Sequence, residues 1–483
     1  MLARPLLTAA ILAVSSCTPI PETGHGTMKL ADCRVAGLDR IARCGSQQVW
    51  EDRASRQGRR IEIRVAVIPA RRRDAEPDPI VVLAGGPGQG AIALAPQVTT
   101  LFARLNDSRD LVLVDQRGTG GSHPLDCEPE EDAGLQSLFE DALPEKMVKD
   151  CLASLDADPR HYATSTAVAD LDEVLGALGY ARVNLWGGSY GTRVALEFMR
   201  RHPGRVRTAT LDGVAPMGMK LPLSFVADGE AAFDRLVADC ESEAACRRSY
   251  PGLRGEVSGL RARLARRPAR VAIVDPVTGE PQAVRVTENI LLSGLFRPLY
   301  APELASLLPL AITRASDGDF NPLLAQNLEL AEDIADNLSV GMHLSVICSE
   351  DVPRITPGDL AAASRGFFGR ALVDDFLRAC RHWPRAQLPA DFYEPVRSMA
   401  PVLILSGGID PATPPRHGEA VAAGLPNARH AVAPHLSHGV SGHGCAPRLI
   451  EKFVRSADAR SLDTTCLARI PRPLFVLPVG TLP

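Results

Sequence analysis

Within this 483-residue chain, Gly187-Gly188-Ser189-Tyr190-Gly191 is the stretch that most directly suggests chemistry. A serine set between glycines as G-x-S-x-G suits a strand-to-helix turn so tight that only small neighbours let the two elements approach. The flanks agree, since residues 183–186 read as a strand and 192–199 as a helix. A serine hydroxyl is a weak nucleophile, so a histidine must take its proton and a carboxylate must hold that histidine in one tautomer. Around such a turn the order along the chain is serine, acid, histidine, with the acid after a late strand and the base beyond the next. Asp410 follows the strand candidate 402–405 through Ser406-Gly407-Gly408-Ile409, and His435, His438 and His443 all follow the candidate 430–433. His438, within Ser437-His438-Gly439, is taken as the base, and His443 is the second choice. Two other uses exist for these residues: Asp410 as a turn aspartate before Pro411, and the three histidines as a zinc site, which would occupy the place the base needs. The expected triad is Ser189, Asp410 and His438, with no metal and no cofactor.

Acyl transfer also requires donors for a developing oxyanion. Gly85-Gly86-Pro87-Gly88-Gln89-Gly90 follows the apolar run 80–84, which places the Gly86 N–H as one donor, and Tyr190, directly after the serine, supplies the other. A phosphate-binding loop is the rival reading, but neither G-x-x-x-x-G-K nor G-x-G-x-x-G is present.

The elements that must position these groups are legible in the hydrophobic pattern. Residues 61–68 alternate apolar and polar as a half-buried strand does, whereas 80–84 and 111–114 are solidly apolar, as strands covered on both faces are. Residues 167–178 carry apolar side chains at helical spacing, and 183–186, 206–211, 402–405 and 430–433 are further strands, usually followed by glycine or proline and then a helix. This is an α/β pattern with a mostly parallel sheet. Residues 218–395 break it with segments of mainly helical character, such as 225–240, 253–265 and 304–315, and few strand runs.

Gly85-Gly86-Pro87-Gly88, Asp115-Gln116-Arg117-Gly118-Thr119-Gly120 and Gly187-Gly188-Ser189-Tyr190-Gly191 together resemble the prolyl and tripeptidyl aminopeptidase family of α/β-hydrolases. Gly408-Ile409-Asp410-Pro411-Ala412-Thr413-Pro414 and Ser437-His438-Gly439-Val440 resemble its tripeptidyl aminopeptidase-type C-terminal region. The resemblance implies an α/β-hydrolase fold with core segments 18–217 and 396–483 and a helical cap over 218–395. It also implies hydrolysis of short peptides near a free N-terminus. Ala84 departs from the histidine with which the oxyanion motif of many relatives opens. Recognition of a cationic amine calls for acids from the cap, and Glu350 and Asp351, just after Cys348, are the candidates. Asp115 and Arg117 are read as organisers of their loop.

Bulk properties narrow the class. With 45% hydrophobic and 23% charged residues and a net charge of −4, the chain is neither disordered nor strongly attracted to nucleic acid. Residues 1–17 read as an export signal, with Arg4, an apolar run over 5–14, and Val14-Ser15-Ser16-Cys17 as a lipobox whose Cys17 would be lipidated. The remaining ten cysteines are even in number and come as sequence neighbours, predicting Cys33–Cys44, Cys127–Cys151, Cys240–Cys246, Cys348–Cys380 and Cys445–Cys466 in an oxidising compartment. The protein is therefore expected to be periplasmic or membrane-anchored through lipid, or else secreted. The competing functions are a carboxylesterase or lipase with the same triad, and a non-catalytic surface lipoprotein used for binding.

Overall fold

Alternation along two short strands shows how the core is made. In Ile80–Leu83 and Leu111–Val114, Val81, Leu83, Val112 and Val114 pack into one apolar layer, and Ile80, Val82, Leu111 and Leu113 into the opposite one. Burial of both faces stabilises by roughly 1.5–3 kcal/mol per large aliphatic side chain, which is why these runs have no polar alternation. The computed structural model describes residues 26–127, 134–139, 143–275 and 279–478; Cys17 and the expected leader lie outside the described residues.

The strands are β1 (Ala31–Cys33), β2 (Ala42–Trp50), β3 (Arg60–Ile68), β4 (Ile80–Leu83), β5 (Leu111–Val114), β6 (Val183–Gly188), β7 (Val206–Asp212), β8 (Ala269–Val274), β9 (Pro281–Val286), β10 (Val402–Gly407) and β11 (Ala428–Ala433). Nine of them form one sheet in the order β1-β2-β3-β5-β4-β6-β7-β10-β11. Pairing is antiparallel from β1 to β3 and between β3 and β5, and parallel from β5 to β11. The carboxyl ends of the parallel strands therefore share one edge, where loops gather catalytic groups in open α/β sheets. Helices Thr164–Leu178 and Tyr190–Arg201 lie among the residues that bury the Val81 side of the sheet, and Ala446–Ser456 packs on the opposite side.

Between β7 and β10 the described chain is mostly helical and has its own core, built from residues such as Phe233, Leu236, Leu260, Leu291, Ile312 and Leu323. Few strands are expected there, and the described residues hold two, β8 and β9, which pair as an antiparallel hairpin. Their two-residue period was partly hidden by apolar residues on the open face, such as the exposed Val274, while Ile273, Val284 and Val286 turn into the cap core. The five disulfides join the cysteines in sequential order.

Arg117 is fully buried, donates to both carboxylate oxygens of Asp170 at 2.6 and 2.9 Å, and reaches the carbonyls of Trp50, Glu51 and His161. Asp115 accepts from Ile92 N at 2.8 Å and Gly121 N at 2.9 Å, tying the loop after β4 to the loop after β5. Both residues thus hold loops in place.

Candidate active site

Ser189 lies between the last residue of β6 and the first of the helix Tyr190–Arg201, with φ 54° and ψ −124°. Such a backbone costs on the order of 1–3 kcal/mol and persists only where its surroundings over-determine it. Those surroundings are visible. Ser189 N donates to Asp212 O at 2.9 Å, and its carbonyl accepts from Thr192 N at 2.9 Å and Thr192 Oγ1 at 2.5 Å. A Cβ on Gly191 would collide with the Leu83 carbonyl, so the helix can start this close to β4 only with glycine there.

Asp410 sits beyond the end of β10 and is buried. Its Oδ1 accepts from Ala412 N and Thr413 N, each at 2.8 Å, and its Oδ2 accepts from Thr413 Oγ1 at 2.7 Å. His438 Nδ1 is 2.9 Å from the same Oδ2. Burial by itself would raise the Asp410 pKa, but the facing imidazole and these donors outweigh it and hold the carboxyl below its usual range. In His438 the order is the same: burial lowers the pKa, and the charge and hydrogen bond of Asp410 overcome it, leaving it raised. With Nδ1–H given to Asp410, Nε2 is free to act as a base. The Tyr300 ring stands edge-on at 5.0 Å from the imidazole, and Tyr300 O accepts from His438 N at 3.2 Å.

Ser189 and His438 each border Asp212-Gly213 at the end of β7. Asp212 O holds Ser189, and a Cβ on Gly213, which has φ +66°, would stand 3.2 Å from His438 Cε1. Only glycine fits that corner. Of the three loop histidines, His438 reaches Asp410; His435 has a buried Nδ1 with no partner among the described residues, and His443 N bonds back to Val440 O at 3.0 Å.

The Asp212 carboxylate was not foreseen from the sequence. It accepts from Val440 N at 2.8 and 3.0 Å and from Ser441 N at 2.7 Å, just after His438, and burial raises its pKa. An acid at a strand's carboxyl end before glycine was the available signal. Thr413, which touches both Asp410 Oδ2 and, at 3.1 Å, His438 Nδ1, had no signal beyond its closeness in sequence to Asp410.

For the oxyanion, Tyr190 is the first residue of its helix and Gly86, at φ +102°, lies in the loop after β4. Neither N–H has an acceptor among the described residues. That loop adjoins the serine, since a Cβ on Gly85 would lie 3.3 Å from Ser189 Cβ. Two free N–H groups beside Ser189, one at the positive end of a helix, suit a developing negative charge.

Glu350 and Asp351 require a correction. Both are fully buried, and their oxygens are occupied by Arg193 at 2.9 to 3.3 Å and, for Glu350, by Thr164 N at 2.8 Å and Thr164 Oγ1 at 2.9 Å. Burial pushes the Glu350 carboxyl up to about 7, against the opposing pull of Arg193. Fully buried and paired with an internal cation, these acids present no surface to a substrate amine. A cleft of about 650 Å³ lies between the helices Ser224–Ser242 and Pro415–Ala422; Met217, Glu230 and Arg416 line it, and Ser189, Asp410 and His438 do not.

Comparison with known proteins places the chain. Residues 78–273 match the alpha/beta hydrolase fold family, and residues 365–466, which contain Asp410 and His438, match the family described as TAP-like protein. The serine protease Hip1 of Mycobacterium tuberculosis is 27% identical over 377 residues, covering 70% of this chain and 71% of its own length. The tripeptidyl aminopeptidase of Streptomyces lividans is 25% identical over 221 residues, 42% of this chain and 41% of its own. The proline iminopeptidase of Neisseria gonorrhoeae is 29% identical over 136 residues, 28% of this chain and 32% of its own.

Proposed function

The chain is a serine hydrolase of the α/β-hydrolase fold, and from that premise we propose that it is an exported peptidase cleaving short peptides near a free N-terminus through an acyl-enzyme on Ser189. The observation that carries this reading is the convergence on Asp212-Gly213, at the end of β7, of a backbone-strained serine and a histidine whose Nδ1 is 2.9 Å from a buried aspartate.

In this reading the reaction runs in two halves. His438 Nε2 takes the Ser189 Oγ proton as Oγ attacks the peptide carbonyl, and the Gly86 and Tyr190 N–H groups receive the oxyanion. The imidazolium, stabilised by ionised Asp410, gives that proton to the leaving amine as the C–N bond breaks. Water, deprotonated by His438, then attacks the ester carbon and frees Ser189. Every atom in this cycle comes from the chain, the peptide and water.

The relatives support peptide substrates, since their names are those of a serine protease, a tripeptidyl aminopeptidase and a proline iminopeptidase. Five disulfides support export, because such bonds persist in oxidising compartments. No helix among the described residues is long and apolar enough to cross a membrane; attachment, in this reading, is through lipid on Cys17. The test is a panel of aminoacyl, dipeptidyl and tripeptidyl chromogenic amides with free and blocked N-termini, beside short acyl esters, assayed with wild type and Ser189→Ala. Cleavage of free-amine peptides that disappears in the variant is the expected result. Turnover of esters alone replaces peptidase by esterase, and no turnover of any kind rejects an enzymatic role.

A further inference from the structure

The two proposed oxyanion donors come from different parts of the core, yet one cap segment, residues 338–351, reaches both. At its start, Ser339 N donates to Gly88 O at 3.0 Å and Leu338 forms an antiparallel bridge with Gln89. The His343 Nδ1 lies 2.8 Å from Pro87 O. The loop that presents Gly86 is thus gripped through three consecutive residues, Pro87 to Gln89.

Farther along, the helix Val340–Val346 runs into a single π turn, Ile347–Asp351, whose inserted residue changes the facing of the side chains that follow. That turn directs Glu350 and Asp351 onto Arg193 of the nucleophile helix, and Cys348 within it is bonded to Cys380. A relay then leads back to the second donor. Above about pH 7, where Glu350 is mainly ionised, it accepts from Arg193 and both Thr164 donors; with Thr164 Oγ1–H directed to Glu350 Oε2, the Thr164 lone pair is left to accept from the Tyr190 hydroxyl at 2.7 Å. Thr164, Tyr190, Arg193, Glu350 and Asp351 are all buried, so no water competes for these bonds. Side-chain anchoring of this kind fixes where the backbone of a helix's first residue stands, and donors misplaced by an ångström lose much of their effect on a transition state.

We propose that Glu350 and Thr164 are positioning residues for the oxyanion hole: they anchor the Tyr190 ring, and with it the Tyr190 N–H, while Leu338 to His343 holds the Gly86 loop, so that one cap segment sets the spacing of the two donors. This rests on the acyl-enzyme reading of Ser189. Tyr190→Phe is the sharpest probe, because it keeps the backbone N–H and removes only the anchor. Glu350→Gln removes the charge that orders the relay, and Thr164→Ser keeps it.

The experiment measures kcat and KM on whichever chromogenic substrate wild type turns over best, with active sites counted by fluorophosphonate labelling and folding followed by Tm. Tyr190→Phe and Glu350→Gln are expected to lower kcat per labelled site by about 10- to 100-fold with KM within about twofold, and Thr164→Ser to stay within about threefold of wild type. Unchanged kcat per labelled site with a lower Tm would make the network purely structural and overturn the proposal; so would a rise in KM alone, which would return Glu350 to substrate binding. Should Glu350→Gln fail to fold, Thr164→Val against Thr164→Ser asks the same question, and equal kcat in that pair overturns it. Activity or labelling that survives Ser189→Ala removes the acyl-enzyme reading itself, and the positioning role with it.

Discussion

Asp410 is held by its neighbours along the chain, Ala412 and Thr413, and the His438 loop is seated by the strand-end Asp212, which takes the Val440 and Ser441 N–H groups, and by the Tyr300 carbonyl. The two proposed oxyanion donors are held differently, by Thr164, Arg193 and cap residues 338–351, with contacts that cross as many as 256 positions. The first half of the site is assembled mainly by strand ends and tight turns, with Tyr300 as its contact from the cap. The second depends on buried ions from a segment inserted in the sheet. A change in the first should therefore act on proton transfer, and a change in the second on stabilisation of the oxyanion.

The largest effect that would break this division is loss of the proposed nucleophile or base. Ser189→Ala and His438→Ala should each lower kcat by about 10⁴- to 10⁶-fold with the fold intact by circular dichroism, because residues of a triad act as a unit. Either variant retaining a tenth of wild-type activity would place the chemistry elsewhere.

Asp410→Asn comes next, with a loss of about 10³- to 10⁴-fold, since an amide in place of the carboxylate no longer stabilises the imidazolium or enforces its tautomer. The pH profile sharpens this. His438 must be neutral to accept a proton, so activity rises as pH climbs through its pKa; because Asp410 raises that pKa, the acid limb of kcat/KM should lie above the ordinary imidazole value of about 6.5. Without the carboxylate that limb should move to lower pH. A limb that stays in place in Asp410→Asn would mean that another group sets it.

Asp212→Asn should cost less, about 10- to 100-fold in kcat, by loosening the two backbone N–H groups that seat the loop after His438. Because Asp212 does not bond to the imidazole, the acid limb should shift far less than in Asp410→Asn, which steady-state pH profiles of both variants would compare. The smallest effect is expected in the cap's own scaffold. Replacing Cys240 and Cys246 by serine opens a loop of 6 residues and should destabilise by about 2 kcal/mol in chemical denaturation, with kcat unchanged. A fall in kcat there would show that the cap core and residues 338–351 are more tightly coupled than their separate packing suggests.

What the chain reveals by itself follows from how far each signal extends along it. The strand runs, the glycines around Ser189 and the ordering of serine, acid and histidine are local or ordered features, so the α/β layout, the pairing of neighbouring cysteines and the candidate triad could all be read from spacing and residue type. The β8–β9 hairpin was missed because apolar residues on its open face blurred a period of two. Asp212 was missed because a strand-end acid shows no sign of which backbone N–H groups it will meet 228 residues later. Glu350 and Asp351 show the limit most clearly. Sequence identified two acids in the cap and gave them a solvent-facing cation to bind, whereas their burial against Arg193, 157 positions away, is decided only when helix and cap pack together. A carboxylate's role depends on which charge shares its low-dielectric surroundings, and that partner is chosen by tertiary packing rather than by anything within a few residues of the acid.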